Sequence, residues 1–109
     1  MSKWRVETLG PAVDAELDAL PPALRARLLR LMEMVEKVGL DHMREPHVKH
    51  VEGKLWELRA KAPGGIAGGL YVAAAGRRVV VLYVFVKKSA KLPAGALELA
   101  RSRLKAVQQ

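Results

Sequence analysis

The sequence contains no cysteine among its 109 residues. Disulfide bonds and thiolate metal sites are therefore excluded, and this composition suits a reducing compartment such as the cytoplasm. Acidic residues are scarce as well, because 19 Lys and Arg outnumber 11 Asp and Glu and leave a net charge of +8. A small domain with this charge favours an anionic partner such as nucleic acid. An ordinary soluble protein with surplus lysine is the alternative.

Long apolar runs are missing too. The longest, VVVLYVFV at residues 79–86, has eight residues, whereas a membrane-spanning helix needs about 20. The first residues, MSKWRVETLG, carry no apolar core typical of a signal peptide. We therefore expect a cytoplasmic protein with no membrane partner. Half of the residues are hydrophobic, so we expect a single folded domain over residues 1–109 and not a disordered chain.

Histidine is sparse and does not form a metal motif. His42, His47 and His50 lie five and three residues apart. These spacings match no standard metal-binding pattern, and no nearby carboxylates complete one. We expect neither a metal ion nor another cofactor.

Two helices are predicted in the N-terminal half. Before them, Trp4–Leu9 alternates as a short strand does. Helical spacing of apolar residues over Val13–Leu20 predicts the first helix, and Pro21-Pro22 ends it and begins the second. Gly39 suits the C-terminal cap of the second helix, so the pair is predicted to form a helical hairpin. The apolar stripe of the second helix consists of Leu24, Leu28, Leu31, Val35 and Val38.

Three strands and a final helix are predicted in the C-terminal half. From Asp41 to Gly53 the chain is polar and irregular. Strands follow at KLWELRAK (54–61), at Ile66–Ala74 and at Val79–Val86, and their short connections predict an antiparallel meander. A last helix begins at Pro93. The predicted fold class is α+β, an antiparallel sheet with an N-terminal helical hairpin on one face and a C-terminal helix.

The strand at 54–61 has two different faces. One face carries Trp56, Leu58 and Ala60 with Lys54, and the other carries Glu57, Arg59 and Lys61 with Leu55. We expect the apolar face to pack on the helical hairpin and the charged face to lie on the more open side of the sheet.

Several blocks of the sequence resemble a known family. They are REPHVKHVEGKLWELRAK, GGIAGGLYV and VVVLYVFVKKSAKLP, followed by ALELARSRLKAV. Together they resemble the phage Gp49-like branch of the RelE/HigB toxins of bacterial type II toxin–antitoxin systems, from about Trp4 to Val107. The resemblance implies the RelE-like fold. It also implies an mRNA endonuclease that acts on the ribosome without a metal and stops translation, with a helix-turn-helix antitoxin as partner.

The resemblance also indicates site residues. Arg59 matches the arginine of LWELR, and its planar fork of donors suits a phosphate. Lys87 and Lys88 match a lysine-rich segment, and with Arg59 they are the candidate catalytic residues. The alternatives are a weak surface pair between Glu57 and Arg59 and lysines that protect a strand end. Further candidate RNA contacts are Lys49, Lys54, Lys61 and Lys91.

Aromatic residues are few, with two Trp, two Tyr and one Phe. Trp56 and Tyr71 are candidates for stacking an RNA base, although a core position is the more usual place for Trp56. Tyr83 occupies a position at which related sequences often have histidine. Its phenol has a reference pKa of about 10 and is therefore a poor general base at neutral pH.

Gly68-Gly69 departs from the family pattern, which has an arginine at the first of these positions. The loss of a group that stabilises the transition state costs on the order of 10²–10³ in rate, so an attenuated enzyme is one outcome. We expect Gly68 to leave an empty space, and Gly68→Arg to raise cleavage with stability level or slightly higher. A non-catalytic module that binds RNA or an antitoxin stays open, and so does a ParE-like inhibitor of DNA gyrase on the same fold.

Overall fold

The computed structural model describes residues 2–107 and has an α+β fold, as predicted. Its elements, in chain order, are β1 (Arg5–Thr8), α1 (Pro11–Asp18), α2 (Pro22–Val38), a 3₁₀ turn (Leu40–His42), β2 (Val48–Glu52), β3 (Leu55–Ala62), β4 (Gly65–Ala74), β5 (Arg78–Lys87) and α3 (Ala96–Leu104). No helix within residues 2–107 has the length and apolarity to cross a membrane.

The strands form one sheet in the order β1-β5-β4-β3-β2. The predicted antiparallel meander is confirmed for β3, β4 and β5. Two further strands extend the sheet, because β2 pairs antiparallel with β3 and β1 pairs parallel with β5. The prediction of an irregular segment from Asp41 to Gly53 is wrong for its second part, where β2 pairs with β3. β2 is an edge strand that exposes Lys49 and His50, so its apolar alternation is weak.

The helical hairpin of α1 and α2 covers one side of the sheet, which we call the hairpin face. This face carries Leu58 and Ala60 of β3, as predicted, and it packs against the apolar stripe of α2. Pro11 and Pro22 begin the two helices, and Gly39, at φ 93°, ends α2 while its N–H donates to the Val35 carbonyl. The hairpin face therefore holds the larger core.

The opposite side, which we call the α3 face, is less open than predicted. Ala96 and Ala100 of α3 pack on a second core there, formed mainly by Leu55, Leu70, Val72, Val80 and Leu82. A helix of nine residues is only about 14 Å long. It therefore covers one end of this face and leaves the other end, around Arg59, for the charged residues.

A β-bulge in β5 positions the uncovered end. The register between β4 and β5 shifts after Leu70, so that Leu82 and Tyr83 both contact the core of the α3 face. Arg103 of α3 fixes the bulge, because its Nη1 donates to the Leu82 carbonyl at 2.7 Å and lies 2.9 Å from Glu16 Oε2. Glu16 Oε1 also accepts the Val84 N–H at 3.1 Å. One arginine thus joins α1, β5 and α3.

Candidate functional site

A buried ion pair lies at the uncovered end of the α3 face. Lys87 Nζ is 2.7 Å from Glu57 Oε2 and donates a 3.0 Å hydrogen bond to Oε1, and both side chains are only 3% exposed. Oε2 accepts no hydrogen bond of suitable geometry, so its interaction with Lys87 Nζ is electrostatic attraction. Lys87 Nζ also donates to the Ala90 carbonyl at 3.2 Å and thereby fixes the segment that follows β5.

This pair spans two strands that are not neighbours. Glu57 is in β3 and Lys87 is in β5, with β4 between them, so their backbones are about 10 Å apart. The residue of β4 that lies beneath the contact is Gly68, which pairs with Arg59 on one side and with Phe85 on the other. Because Gly68 has no side chain, Glu57 and Lys87 can meet above it.

Gly68 is therefore required by its neighbours. A Cβ at this position would lie 2.4 Å from Phe85 Cε1 and 2.6 Å from Glu57 Oε2, which is closer than real contacts allow. The expectation that Gly68 leaves an empty space for an arginine is wrong, because the phenyl ring and the carboxylate fill it. The expectation that Gly68→Arg leaves stability level fails for the same reason.

Arg59 lies beside this pair with an unsatisfied donor. Its side chain is 17% exposed and its Nε is 3.9 Å from Glu57 Oε1, yet the buried Nε has no hydrogen-bond partner. The carboxylate of Glu57 is already paired with Lys87. Two cations and one carboxylate leave one surplus positive charge, so the Glu57 cluster, defined as Glu57, Arg59 and Lys87, is suited to an anion.

Arg59 also lines a cavity of about 330 Å³ between α2 and the end of β3. The polar side chains of its lining are all cationic or imidazole groups, namely Arg27, Arg30, His47, Arg59 and Lys61. The floor is apolar, with Leu31 and Met34 of α2. This cavity could hold an acidic group whose apolar part contacts the floor.

The remaining predicted site residues fall into three places. Lys49 and Lys61 are exposed and share the α3 face with Glu57 and Arg59, since Lys49 pairs with Glu57 across β2 and β3. Lys88 and Lys91 are exposed in the segment after β5. Lys54 is in the β2–β3 turn, about 17 Å along β3 from Arg59, so the structure does not bring it to the cluster.

The position of Lys87 corrects one expectation. The sequence predicts an exposed strand end for it, but it is buried and held by Glu57, by Ala90 and by the ring of Phe85, whose centroid is 5.9 Å from Nζ. The ammonium contacts both Glu57 oxygens and the Ala90 carbonyl and is only 3% exposed, so little of it is accessible to a ligand. Its catalytic role stays a prediction.

Sequence reasoning missed Glu57, Phe85 and the need for Gly68. The sequence pattern indicates only a surface partner of Arg59 at Glu57, although this residue is 2% exposed. One signal of its burial was available, because Glu57 shares a strand face with the apolar Leu55 and lies between the apolar residues Trp56 and Leu58. That signal does not identify Lys87 as the partner, because the pairing depends on the register across β4.

The candidate aromatic residues differ in exposure. Tyr71 is 1% exposed, and burial raises the pKa of its phenol far above its ordinary value. Trp56 is 39% exposed, against the expectation of a core position. Tyr83 is half-buried between Phe85 and Arg103, with a ring-centroid distance of 5.2 Å to Phe85. Within residues 2–107, no group of His, Asp and Glu is arranged to hold a metal ion.

Comparisons with known proteins agree with this architecture. A family model described as phage-derived protein Gp49-like matches residues 15–105. Among solved structures, a chain of the archaeal RelE–RelB complex from Pyrococcus horikoshii OT3 is 22% identical, with a TM-score of 0.55 over 82% of this chain and 100% of that chain. This likeness shows a RelE-like fold. No curated protein matches the sequence.

Proposed function

Since the chain belongs to the phage-derived Gp49-like family, we propose that it is the toxin of a toxin–antitoxin pair and cleaves mRNA on the ribosome. The observation that carries this proposal is the Glu57 cluster, in which a buried arginine donor has no partner and one positive charge is in surplus. A phosphate satisfies both conditions, because it supplies charge and acceptor oxygens together.

In the proposed mechanism the RNA supplies its own nucleophile, the 2′-OH next to the scissile phosphate. The 2′-oxygen forms a bond to phosphorus as the bond from phosphorus to the 5′-oxygen breaks. The 2′-OH loses its proton and the leaving 5′-oxygen gains one, so the products are a 2′,3′-cyclic phosphate and a 5′-hydroxyl end. Arg59 binds that phosphate and stabilises the charge that develops on it. Lys88 is exposed beside the end of β5 and contributes a further contact. Lys87 holds the cluster in place through its buried pair with Glu57. Such prior alignment lowers the barrier, because the reacting groups need no reorganisation.

The exposed lysines of the α3 face are proposed to hold the RNA strand. Lys49 lies opposite Glu57 on β2, and Lys61 follows Arg59 by two residues on β3, so both are proposed to contact phosphates near the scissile one. Lys91 extends this surface after β5, and Lys54 is proposed only as a distant contact. Such contacts position the strand without reading its sequence.

The proposed partner is an antitoxin with a helix-turn-helix domain. The similar archaeal chain was solved in a complex of RelE with RelB, and the net charge of +8 favours an acidic partner. The cavity next to Arg59 has a cationic rim and an apolar floor formed by α2, so an amphipathic acidic segment of the antitoxin fits there. Co-expression with the neighbouring small gene, followed by pull-down at low salt, tests this partnership.

An in vitro translation assay with mapping of mRNA 5′ ends tests the activity. We expect new cuts on programmed ribosomes with the unaltered chain and a loss of about 10²-fold or more in cleavage rate with Arg59→Ala. Arg5→Ala is the matched control, because Arg5 is exposed on β1 at the far edge of the sheet. Inhibited DNA supercoiling with intact mRNA would instead indicate a gyrase inhibitor.

A non-catalytic binding module is the second candidate function. It is favoured by one observation, that Phe85 and Glu57 occupy the space above Gly68 where the family pattern has an arginine. The same assay separates the two functions. Ribosome or RNA binding that depends on Arg59, without new 5′ ends, supports the second candidate.

A further inference from the structure

Both tryptophans of the chain line one cavity, on the opposite side of the sheet from Arg59. This cavity, which we call the tryptophan cleft, has a volume of about 240 Å³. Its lining consists of Trp4, Leu40, Asp41, Trp56, Tyr71 and Ala73. It opens where α2 ends, because Gly39 turns the chain away and leaves the last part of the hairpin face uncovered.

The walls of the tryptophan cleft are preset. Trp56 is 39% exposed, and its ring makes an edge contact with His50 at a centroid distance of 5.0 Å. Trp4 packs beside Gly39, where a Cβ would be 3.3 Å from Trp4 Cδ1. Tyr71 forms a buried floor. An exposed indole on a rigid support is suited to stacking with a flat ring.

A cationic cleft adjoins the tryptophan cleft and shares Trp4 and Asp41 with it. This second cleft has a volume of about 840 Å³ and contains the positive side chains of Lys3, Lys37 and Arg77. Within residues 2–107 none of these three has an ion-pair partner. Arg77 has φ 57° in the turn between β4 and β5, a conformation that residues other than glycine seldom adopt.

We propose that the two clefts form one nucleotide-binding site, with the base in the tryptophan cleft and the phosphate in the cationic cleft. Aromatic walls and a cationic rim at adjoining positions are the two features that a nucleotide requires. The site is separate from the Glu57 cluster and does not depend on cleavage there.

Asp41 indicates which base the site prefers. A carboxylate only accepts hydrogen bonds, and within residues 2–107 no side chain donates to that of Asp41. A carboxylate next to a phosphate site is unfavourable unless the ligand also carries donors near it. Guanine presents two adjacent N–H groups on its pairing edge, one of them the 2-amino group. We therefore assign the site to a guanine nucleotide, either free or as an unstacked residue of single-stranded RNA.

Intrinsic fluorescence tests this assignment directly, since the only two tryptophans of the sequence both lie in the cleft. GMP added to the full chain is expected to quench the emission in a saturable manner and more tightly than AMP, CMP or UMP. Trp56→Ala is expected to remove most of the affinity, and Trp56→Phe to retain part of it. Circular dichroism establishes that each variant is folded.

The phosphate is tested by comparing GMP with guanosine. Lys3→Ala and Lys37→Ala are each expected to weaken GMP binding about tenfold, as the loss of one charge-assisted hydrogen bond does, and to leave guanosine binding unchanged. Arg59→Ala with Lys61→Ala is the matched control and should leave GMP quenching intact. This control also tests the nucleotide site independently of the proposed nuclease activity, since either proposal can fail while the other holds.

The two sources of the ligand are distinguished with a short single-stranded RNA that contains one guanine. This comparison is made with the Arg59→Ala, Lys61→Ala variant, in which the proposed RNA contacts of the α3 face are weakened. Tighter binding of the RNA than of GMP then assigns the site to RNA, and equal or weaker binding assigns it to the free nucleotide. No saturable quenching by any nucleotide at millimolar concentration would overturn the site. Equal quenching by all four nucleotides would overturn the guanine assignment, and a loss of quenching in the Arg59→Ala, Lys61→Ala control would place the ligand on the other face.

Discussion

At the scale of single residues, three side chains and one missing side chain act together. Glu57, Lys87 and Phe85 occupy the space above Gly68, and each limits where the others can lie. The ion pair is buried, so each of its two charges depends on the other for compensation. Because Lys87 already neutralises the Glu57 carboxylate, the charge of the neighbouring Arg59 guanidinium is left without full compensation.

Gly68→Ala is expected to destabilise the protein by about 1–3 kcal/mol, as overpacking does in a filled core. The added Cβ would contact Phe85 and Glu57 at distances below 3.0 Å. Gly69→Ala is the matched control, because its Cβ would lie 3.6 Å from Val81, and replacing a strand glycine there stabilises by about 0.5–1 kcal/mol. Urea unfolding measures both changes, and equal stabilities of the two variants would contradict the packing argument.

Lys87→Ala is expected to cost about 3–5 kcal/mol, because it leaves the buried Glu57 carboxylate without a partner. The adjacent exposed Lys88 is the control, and Lys88→Ala should change stability by at most about 0.5 kcal/mol. The double variant Glu57→Leu, Lys87→Met removes both charges and should be more stable than Lys87→Ala. Thermal unfolding of the three variants checks this order. A double variant less stable than Lys87→Ala would contradict the argument that the unpaired Glu57 carboxylate causes the loss of stability.

The sequence predicts on which face of β3 Arg59 lies, but it does not describe the surroundings of this residue. Alternation predicts that Glu57 and Arg59 share one face of β3, and the structure agrees. The burial of Glu57 and Lys87 depends on two features that no local pattern contains, the register across β4 and the glycine between the two strands. A lysine at the end of an apolar strand usually reaches solvent, and here it bends back over Phe85.

At the scale of elements, the helices were predictable from their apolar period, and the strands of the meander from their apolar segments and the short turns between them. β2 was not, since only Val48 and Val51 of its five residues are apolar. The bulge at Leu82 was also hidden, because every residue from Val79 to Val86 is apolar and no alternation marks the shift. In both cases the tertiary partner sets the structure, and the local sequence does not.

Arg103→Ala is expected to destabilise the protein by about 1.5–3 kcal/mol, the range for hydrogen bonds to charged groups. Its guanidinium holds Glu16 and the Leu82 carbonyl, so its removal frees α3 from the bulge. Arg101→Ala is the control on the same helix, since its pair with Glu52 is about half exposed, and should have the smaller effect. Hydrogen exchange should show faster exchange at β5 and α3 for Arg103→Ala. Equal effects of the two variants would contradict the proposal that Arg103 joins α1, β5 and α3.

The Arg101–Glu52 pair predicts a local pH dependence. The hydrogen bond from Arg101 lowers the pKa of Glu52 below its ordinary value. A carboxyl group with a lowered pKa in the folded state stabilises the fold above its unfolded pKa, and this stabilisation disappears as the pH falls through the folded value. Arg101→Ala should therefore unfold with a weaker dependence on acid below the ordinary carboxyl pKa. An unchanged acid profile would mean that the pair does not persist in solution.

At the scale of the whole molecule, the surplus positive charge is divided between two sides of the sheet. Arg59, Lys49 and Lys61 lie on the α3 side, whereas the cationic cleft lies beyond the end of α2 on the other. A polyanion that binds to both the α3 side and the cationic cleft must pass around an edge of the sheet. Because each phosphate that the protein neutralises releases counterions, the salt dependence of binding reports how many phosphates are bound.

The double variant Arg59→Ala, Lys61→Ala is expected to flatten the salt dependence of single-stranded RNA binding by about 1.4 units of log–log slope, at about 0.7 for each phosphate that the protein no longer neutralises. Arg5→Ala with Lys105→Ala removes the same charge at two exposed positions away from the cluster and should leave the slope unchanged. Fluorescence anisotropy with labelled RNA at several salt concentrations measures both slopes.

The slope is more informative than the affinity, because a lower net charge weakens binding in both variants, whereas only the removal of a phosphate-binding side chain changes the slope. If both double variants flatten the slope equally, the RNA responds to the overall charge of the protein, and the Glu57 cluster is not its binding site.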